Sequence, residues 1–318
     1  MLVAAALAAV LIGRGAASSA PPQAKASTDG GFLTLLFSRS AVTTANDCIV
    51  DDSNVERLDT GVAPEFAKRG ITGTGTVETG LVKDTRMACS HGRSTMYASW
   101  AQLAALRDTY GWSFVSHSRS YLSDFSKLTP RQQWDETCGS VQDLAAHGHT
   151  RGDGLFAWPH SDGDNALQAS LVDKCFAFGR RYSPTPETKA QALTAPYWNH
   201  TQQLGGGRCH NSALPCYTIG TKPARYRSPS QVGKQVASIG PGEWYTVQVY
   251  VLVTGFRAGQ WDCRSSNWQD HWTSDYERYC WSDYLKVLDR IPAEVQVTDP
   301  KTVAQAWGRT GYAPPPRP

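Results

Sequence analysis

Two rhythms of apolar residues alternate along this chain. Short runs such as FLTLLFS at Phe32 to Ser38, WSFVS at Trp112 to Ser116 and WYTVQVYVLV at Trp244 to Val253 have the length and the β-branched or aromatic content of buried strands. ITGTGTV from Ile71, GLFAW, CFAFG and EVQV bring the strand candidates to seven. Between them the apolar spacing lengthens to three and four. Leu58, Val62 and Phe66 predict a helix ending near Lys68, with Gly70 as its stop. SWAQLAALRDTYG opens on Ser99 with Gln102 three residues later, the reciprocal cap of a helix start, and stops at Gly111. TPRQQWDETCGSVQDLAAHG repeats the logic. Thr129 caps, Pro130 takes the first helical position, Trp134, Cys138, Val141 and Ala145 share a face, and Gly148 closes the helix. Further helices are predicted from about Asn165 to Lys174 and around Tyr276 to Leu288.

Strands separated by helices predict an α/β fold, a parallel sheet or barrel whose chemistry sits at the C-terminal ends of the strands. Residues 182–242 break the rhythm. They are rich in Pro, Gly, Ser and Thr, include GGG at Gly205 to Gly207, and predict a long excursion from a barrel that occupies residues 29–310. The closing PPPRP places a disordered tail at 311–318.

Composition narrows the setting. The 318 residues, 41% of them hydrophobic, suffice for one principal domain. With 31 basic and 28 acidic side chains the formal charge is only +3, and no Lys/Arg run forms a phosphate-tracking stripe, which argues against a nucleic-acid partner. The opening MLVAAALAAVLIG is apolar but short for a membrane span, and small residues follow around Ser18 to Ala20 and Ala24 to Ala26. Residues 1–28 therefore predict a signal peptide and linker, a secreted or cell-surface location, and no stable membrane span after cleavage. An uncleaved anchor is the alternative. Eight cysteines without a CxxC fit an oxidising compartment and up to four disulfides. Cys209 with Cys216 and Cys263 with Cys280 bracket loops, while Cys48 with Cys89 and Cys138 with Cys175 are the pairings open to the rest.

Candidate chemistry concentrates in two segments, VDDSN at Val50 to Asn54 and SHSRSY at Ser116 to Tyr121. Each follows a strand candidate. They offer an Asp pair and a His, the beginning of a metal site but not its completion. The sequence has no GxSxG, HExxH, GxxxxGK, or GxGxxG after a strand. Asp51 and Asp52 are also ordinary helix-capping residues, and the HGH at His147 to His149 reads as structure at a helix end.

The order of these segments resembles the NodB-type polysaccharide deacetylases. DDSNVERLDTGVAPEFAKRGITGTGTVETG is similar to that family's first motif, helix and strand, and WAQLAALRDTYGWSFVSHSRSYLSDFSKLT to its second motif. GLFAWPHSDGD is similar to the third, and GEWYTVQVYVLV sits where a late strand carries a His. The resemblance covers roughly Phe32 to Trp307 and implies a distorted (β/α)7 barrel. It also implies a divalent metal, often zinc, that polarises an acetamide carbonyl and activates water. By position, Asp51 is then the catalytic base and Asp52 and His117 are metal ligands; Trp158 and Pro159 stay open between lining a sugar subsite and packing the barrel rim. The implied partner is an acetylated polysaccharide or cell-wall glycan.

Three departures accompany the likeness. Tyr121 stands where a second ligand His is expected, and Tyr250 stands in place of the late catalytic His. A phenol of pKa about 10 suits neither role as well as imidazole does. The third departure is AVTTANDCIV, which intervenes between the opening strand and Asp51, with Ser53 in place of the usual Gly. Two readings stay open: a metal-dependent carbohydrate deacetylase with an altered ligand set, and a catalytically inactive relative that binds glycan through its rim. A glycoside hydrolase on a similar barrel is a third.

Overall fold

The structure, a computed structural model, describes residues 30–37, 61–82, 87–88, 96–120, 124–159, 166–182, 185–194, 199–203, 228–249, 251–253, 278–309 and 314–318. Strands and helices alternate in its main body, apart from the short strands Met87–Ala88, Met96–Tyr97 and Glu187–Thr188. In chain order these are β1 (Gly31–Phe37), α1 (Ala63–Lys68), β2 (Thr74–Val77), α2 (Trp100–Tyr110), β3 (Ser113–Ser116), α3 (Pro130–Ala146), β4 (Leu155–Phe156) and α4 (Ala166–Cys175). There follow β5 (Phe178–Tyr182), α5 (Lys189–Thr194), β6 (Asn199–Gln203), α6 (Pro229–Ala237), β7 (Glu243–Val249), α7 (Trp281–Leu288), β8 (Val295–Val297) and α8 (Pro300–Ala306).

Strands β1 to β7 pair in parallel in sequence order, and β7 returns to β1 through Phe32↔Trp244 to Phe37↔Val249, closing the ring. This is a (β/α)7 barrel. Its distortion has a local cause: β2 meets only Leu36 and Phe37 of β1, and β8 fills the same edge lower down, opposite Gly31 to Leu33. EVQV, expected as one of seven barrel strands, is thus the wedge that completes the wall. The seventh member is β6, which lies inside the predicted excursion at 182–242. Its sequence, NHTQQ, has no apolar rhythm, and its place is set by backbone pairing to β5 and β7.

Local chemistry fixes the helices. Ser99 and Gln102 form the expected reciprocal cap of α2, and Gly111 ends it with φ +70°. Thr129 and Gln132 do the same for α3, with Pro130 at its first position. Ser228 and Gln231 cap α6 likewise. The buried face of α3 differs from the expected stripe, since Ala145 is exposed while Gln133, Glu136, Thr137 and Ser140 are buried with Trp134 and Cys138. The CFAFG strand begins three residues late because Cys175 ends α4 and is disulfide-bonded to Cys138 of α3. The run WYTVQVYVLV divides into β7 and a separate strand, Val251–Val253, that pairs with Arg278–Cys280.

The last residues correct the expectation of a disordered tail. Trp134 Nε1 donates to Pro315 O at 2.9 Å, and Arg317 pairs with both carboxylate oxygens of Asp135, at 2.7 and 2.6 Å. The chain end lies along the start of α3. Among the described residues no helix is long and apolar enough to cross a membrane. The predicted signal peptide and the cysteines other than Cys138 and Cys175 fall on side chains outside the described set.

Candidate active site

Alternation along the strands decides which side chains enter the barrel. Val77 of β2, Phe114 of β3 and Tyr245, Val247 and Val249 of β7 pack outward against the helices. Their neighbours Thr74, Thr76, Val115, Trp244, Thr246 and Gln248 therefore point inward. Continued one step past the strand ends, the same alternation brings in Glu78 and His117, and Arg180 follows inward-facing Phe178 by two residues on β5. The register pairs Val77 with Ser116, Ser116 with Phe156 and Phe156 with Gly179. Glu78, His117, Ala157 and Arg180 consequently stand side by side, on four successive strands, at the C-terminal end of the barrel. All three side chains with charge or ring nitrogen are buried: Glu78 at 0%, His117 at 1% and Arg180 at 1% exposure.

His117 is held through Nδ1. This nitrogen lies 2.6 Å from the carbonyl oxygen of Ala157, which can only accept, so Nδ1 carries a proton. That carbonyl would ordinarily take the next ladder bond from Ser118. Instead Ser118 adopts φ +67°, the only non-glycine residue with positive φ among those described, and its N–H turns to Ser116 Oγ at 3.1 Å. The imidazole fills the vacated acceptor. A left-handed serine costs roughly 1 kcal/mol, so the arrangement is maintained against local strain.

Helix α3 fixes the loop beyond. Glu136 accepts from the backbone N–H groups of Arg119 and Ser120, at 2.9 and 2.8 Å, and from Ser120 Oγ. Asp143 accepts from Arg119 Nε at 2.8 Å and from Thr79 Oγ1 at 2.7 Å, joining the loops after β2 and β3 to one carboxylate. Ser140 Oγ meets Ser116 Oγ at 2.5 Å. The buried polar face of α3 is thus the support of the His117 turn. On the far side Arg180 donates through Nη2 to Trp158 O at 2.8 Å and through Nη1 to Gln248 Oε1.

Of the residues singled out from the sequence, His117 follows the last residue of β3. Asp51, Asp52, Tyr121 and Tyr250 lie outside the described residues. Trp158 and Pro159 are buried, and Trp158 packs edge-on to Phe156 at 5.0 Å within the α3/α4 cluster that includes Phe125 and Trp134. Its ring offers no face to a sugar. This corrects the subsite expectation: two residues after outward-facing Phe156, Trp158 points outward too. His147 stacks on Trp100 at 3.8 Å, in keeping with a structural role for the HGH segment. His149 is buried against Phe114, 5.1 Å between rings, and burial with the nearby Arg107 charge lowers its pKa to about 4.

Glu78, Arg180 and Gln248 escaped sequence reasoning. The signal was present as Thr74, Thr76 and Glu78, and as Trp244, Thr246 and Gln248, each a period-two series turning polar at the strand end. Reading those runs as uniformly buried hid it. The Nδ1–H bond of His117 to Ala157 O is of the kind that would orient a ligating imidazole. Among the described residues no group of three His, Cys, Asp or Glu converges on one point.

A comparison with solved structures finds neighbours at low similarity. The chain is similar to a family 4 carbohydrate esterase from Streptomyces lividans solved with acetate, at 13% identity over 69% of this chain and 80% of that one, with a TM-score of 0.38. It is similar to the chitin deacetylase of Colletotrichum lindemuthianum at 9% identity over 89% and 90% of the two chains, TM-score 0.39. A third is the Streptococcus pyogenes deacetylase PplD, at 17% identity over 52% and 62%, TM-score 0.37. No family model matches the sequence, and a comparison with curated proteins finds no match.

Proposed function

We propose that this chain is a secreted, divalent-metal-dependent deacetylase of N- or O-acetylated carbohydrate, acting on polysaccharide or cell-wall glycan. The observation that carries the reading is His117, an imidazole at the C-terminal end of β3 with Nδ1–H fixed on Ala157 O. In this reading Asp52 and His117 hold the ion, zinc by donor type, with Tyr121 at the position of the third ligand. A divalent ion so held supplies Lewis-acid polarisation of a carbonyl and makes water nucleophilic at neutral pH. The chain's own residues do the rest: Asp51 accepts the proton of the attacking water, and Tyr250 donates to the departing group. Glu136 and Asp143, through the loops they anchor, keep His117 from drifting off the site.

A second reading is favoured by the sealing of the same layer. Glu78, His117, Arg180 and Gln248 have at most 1% of their surface exposed, and Trp158 and Pro159 are packed rather than displayed. A barrel of this kind that binds glycan through its rim without catalysis has no need of an open mouth. Metal content and acetate release divide the two. The deacetylase reading expects stoichiometric zinc or a similar ion in the purified full-length protein, its loss in His117→Ala, and acetate released from chitooligosaccharide or acetylated xylan. Protein that retains no ion and releases no acetate from either substrate belongs to the second reading.

A further inference from the structure

Residues 314–318, PPPRP, lie against α3 as a peptide ligand lies on its receptor. We propose that the second turn of α3 is a recognition site for a proline-rich segment bearing arginine, that residues 314–318 occupy it within the chain, and that their docking holds the turn of His117. Neither part depends on a metal at His117.

The contacts are those that such a segment can offer. Proline has no N–H, so its carbonyl is the polar group left for recognition, and three prolines in a row restrict the backbone before anything binds it. The Trp134 indole supplies the donor, Nε1 to Pro315 O at 2.9 Å. Two residues on, Arg317 Nε and Nη2 meet the two oxygens of Asp135 at 2.7 and 2.6 Å, a forked pairing that lysine cannot reproduce. An aromatic side chain that meets a pre-extended proline run is the general chemistry of such recognition, and the carboxylate adds a preference for arginine. Of the five residues only Pro315 is partly buried, so the segment can leave without opening the core. One hydrogen bond and an exposed ion pair favour the docked state by a factor on the order of 10.

The turn beneath the segment reaches His117 by two routes. Glu136, the residue after Asp135, accepts from the backbone N–H groups of Arg119 and Ser120 at 2.9 and 2.8 Å, and so fixes the loop beyond His117. Trp134 belongs to the cluster that holds Phe156 and Trp158, the neighbours of Ala157, whose carbonyl accepts from His117 Nδ1. The bare face of Gly139 brings the routes together. A Cβ there would stand 3.7 Å from the Trp134 ring and 3.5 Å from Arg119 Cδ. A shift of this turn of α3 is therefore felt both at the acceptor of His117 and in the loop that follows it.

The full-length protein carries the test, read by the Trp134 indole N–H resonance and by hydrogen exchange at the amides of Arg119 and Ser120, with each variant checked for folding by circular dichroism. Arg317→Glu sets a like charge against Asp135. It is expected to move the indole resonance and to speed exchange at both amides by about 3- to 10-fold, the range set by the docking ratio, with β7 amides at wild-type rates. Combining it with Asp135→Arg restores both signals, which a loss of general stability would not. A segment held about tenfold at the millimolar effective concentration of a short tether binds in trans near millimolar. The peptide Ala-Pro-Pro-Pro-Arg-Pro at that concentration is thus expected to restore both signals in Arg317→Glu, and the same peptide with Ala in place of Arg is not. An unmoved indole resonance in Arg317→Glu overturns the docking, unchanged exchange at Arg119 and Ser120 overturns its coupling to His117, and equal action of the two peptides overturns the recognition. Should Arg317→Glu fail to fold, Arg317→Gln is read in the same way.

Discussion

The two ends of the barrel interior are built from the same strands and differ in almost every physical respect. At the N-terminal end Phe32, Phe178 and Trp244 each meet Trp307, which follows α8, edge-on at 6.0 to 6.1 Å, and Phe178 meets Trp244 in a tilted contact at 4.8 Å. Trp244 Nε1 donates to Thr34 Oγ1 at 3.0 Å and Thr34 Oγ1 to Thr298 O at 2.9 Å, while the buried Trp307 Nε1 has no hydrogen-bond partner among the described residues. Four residues further along the strands, Trp244 gives way to Gln248 and Thr74 to Glu78, on the same inward face. A period of two makes this possible, because the face is preserved while the chemistry changes along the axis. One end is a dry plug whose aromatic area stabilises the closed ring. The other buries a carboxylate, an imidazole and a guanidinium, each with a desolvation cost.

If that division is real, truncating the plug harms folding more than truncating the polar layer. Trp244→Ala is expected to destabilise the protein by about 3–5 kcal/mol, from lost transfer energy and the cavity left behind. Gln248→Ala, on the same strand and the same face, is expected to cost about 1–3 kcal/mol, mostly because Arg180 Nη1 loses its acceptor. Urea denaturation with the disulfide intact measures both. Equal losses, or the reverse order, would erase the distinction between the two ends.

Burial of an imidazole can be compared in the same way. His117 has its hydrogen bond to Ala157, whereas neither ring nitrogen of His149 has a hydrogen-bond partner among the described residues. Desolvation first, then the Arg107 and His147 charges, lower the His149 pKa from 6.5 to about 4, while Asp108 opposes them. The folded state thus keeps a neutral ring where the unfolded chain takes up a proton. Stability is full above pH 6.5 and falls as the pH drops towards about 4. His149→Phe, which retains an aromatic ring against Phe114 and Trp100, is expected to flatten that part of the profile. The check is unfolding free energy by urea at several pH values between 7.5 and 4, and an unchanged slope in His149→Phe assigns the dependence to other groups.

Much of this scaffold was legible because its signals are local. The caps at Ser99 and Thr129, the glycine stops and the delivery of His117 by WSFVS all follow from residues a few positions apart. What stayed hidden depends on partners distant in sequence. Strand β6 carries no apolar rhythm and exists through its neighbours on both sides, so residues 182–242 read as an excursion. Trp158 reads equally as a platform or as packing until the register with β3 and the direction of Phe156 are known. Glu78 became visible only when its strand was placed beside that of His117, since a single Glu after a threonine-rich strand has no motif. The polar stripe of α3 was obscured by the apolar one beside it, although Glu136 and Asp143 connect the helix to the site.

The smallest effect expected has the opposite sign. Ser118 holds φ +67° in a buried turn, a conformation that glycine adopts without a steric penalty. Ser118→Gly keeps the N–H that donates to Ser116 Oγ and removes the strained Cβ, while giving the unfolded chain more freedom to lose. Relief and entropy nearly offset one another, so a gain of roughly 0.5 kcal/mol is expected, against a loss from almost any other buried substitution. The urea midpoint reads this directly. A gain there, next to the losses at Trp244, would locate stored strain at the end that holds His117. A loss of more than about 1 kcal/mol would mean that the Ser118 hydroxyl itself holds the turn, and that the backbone there is supported rather than strained.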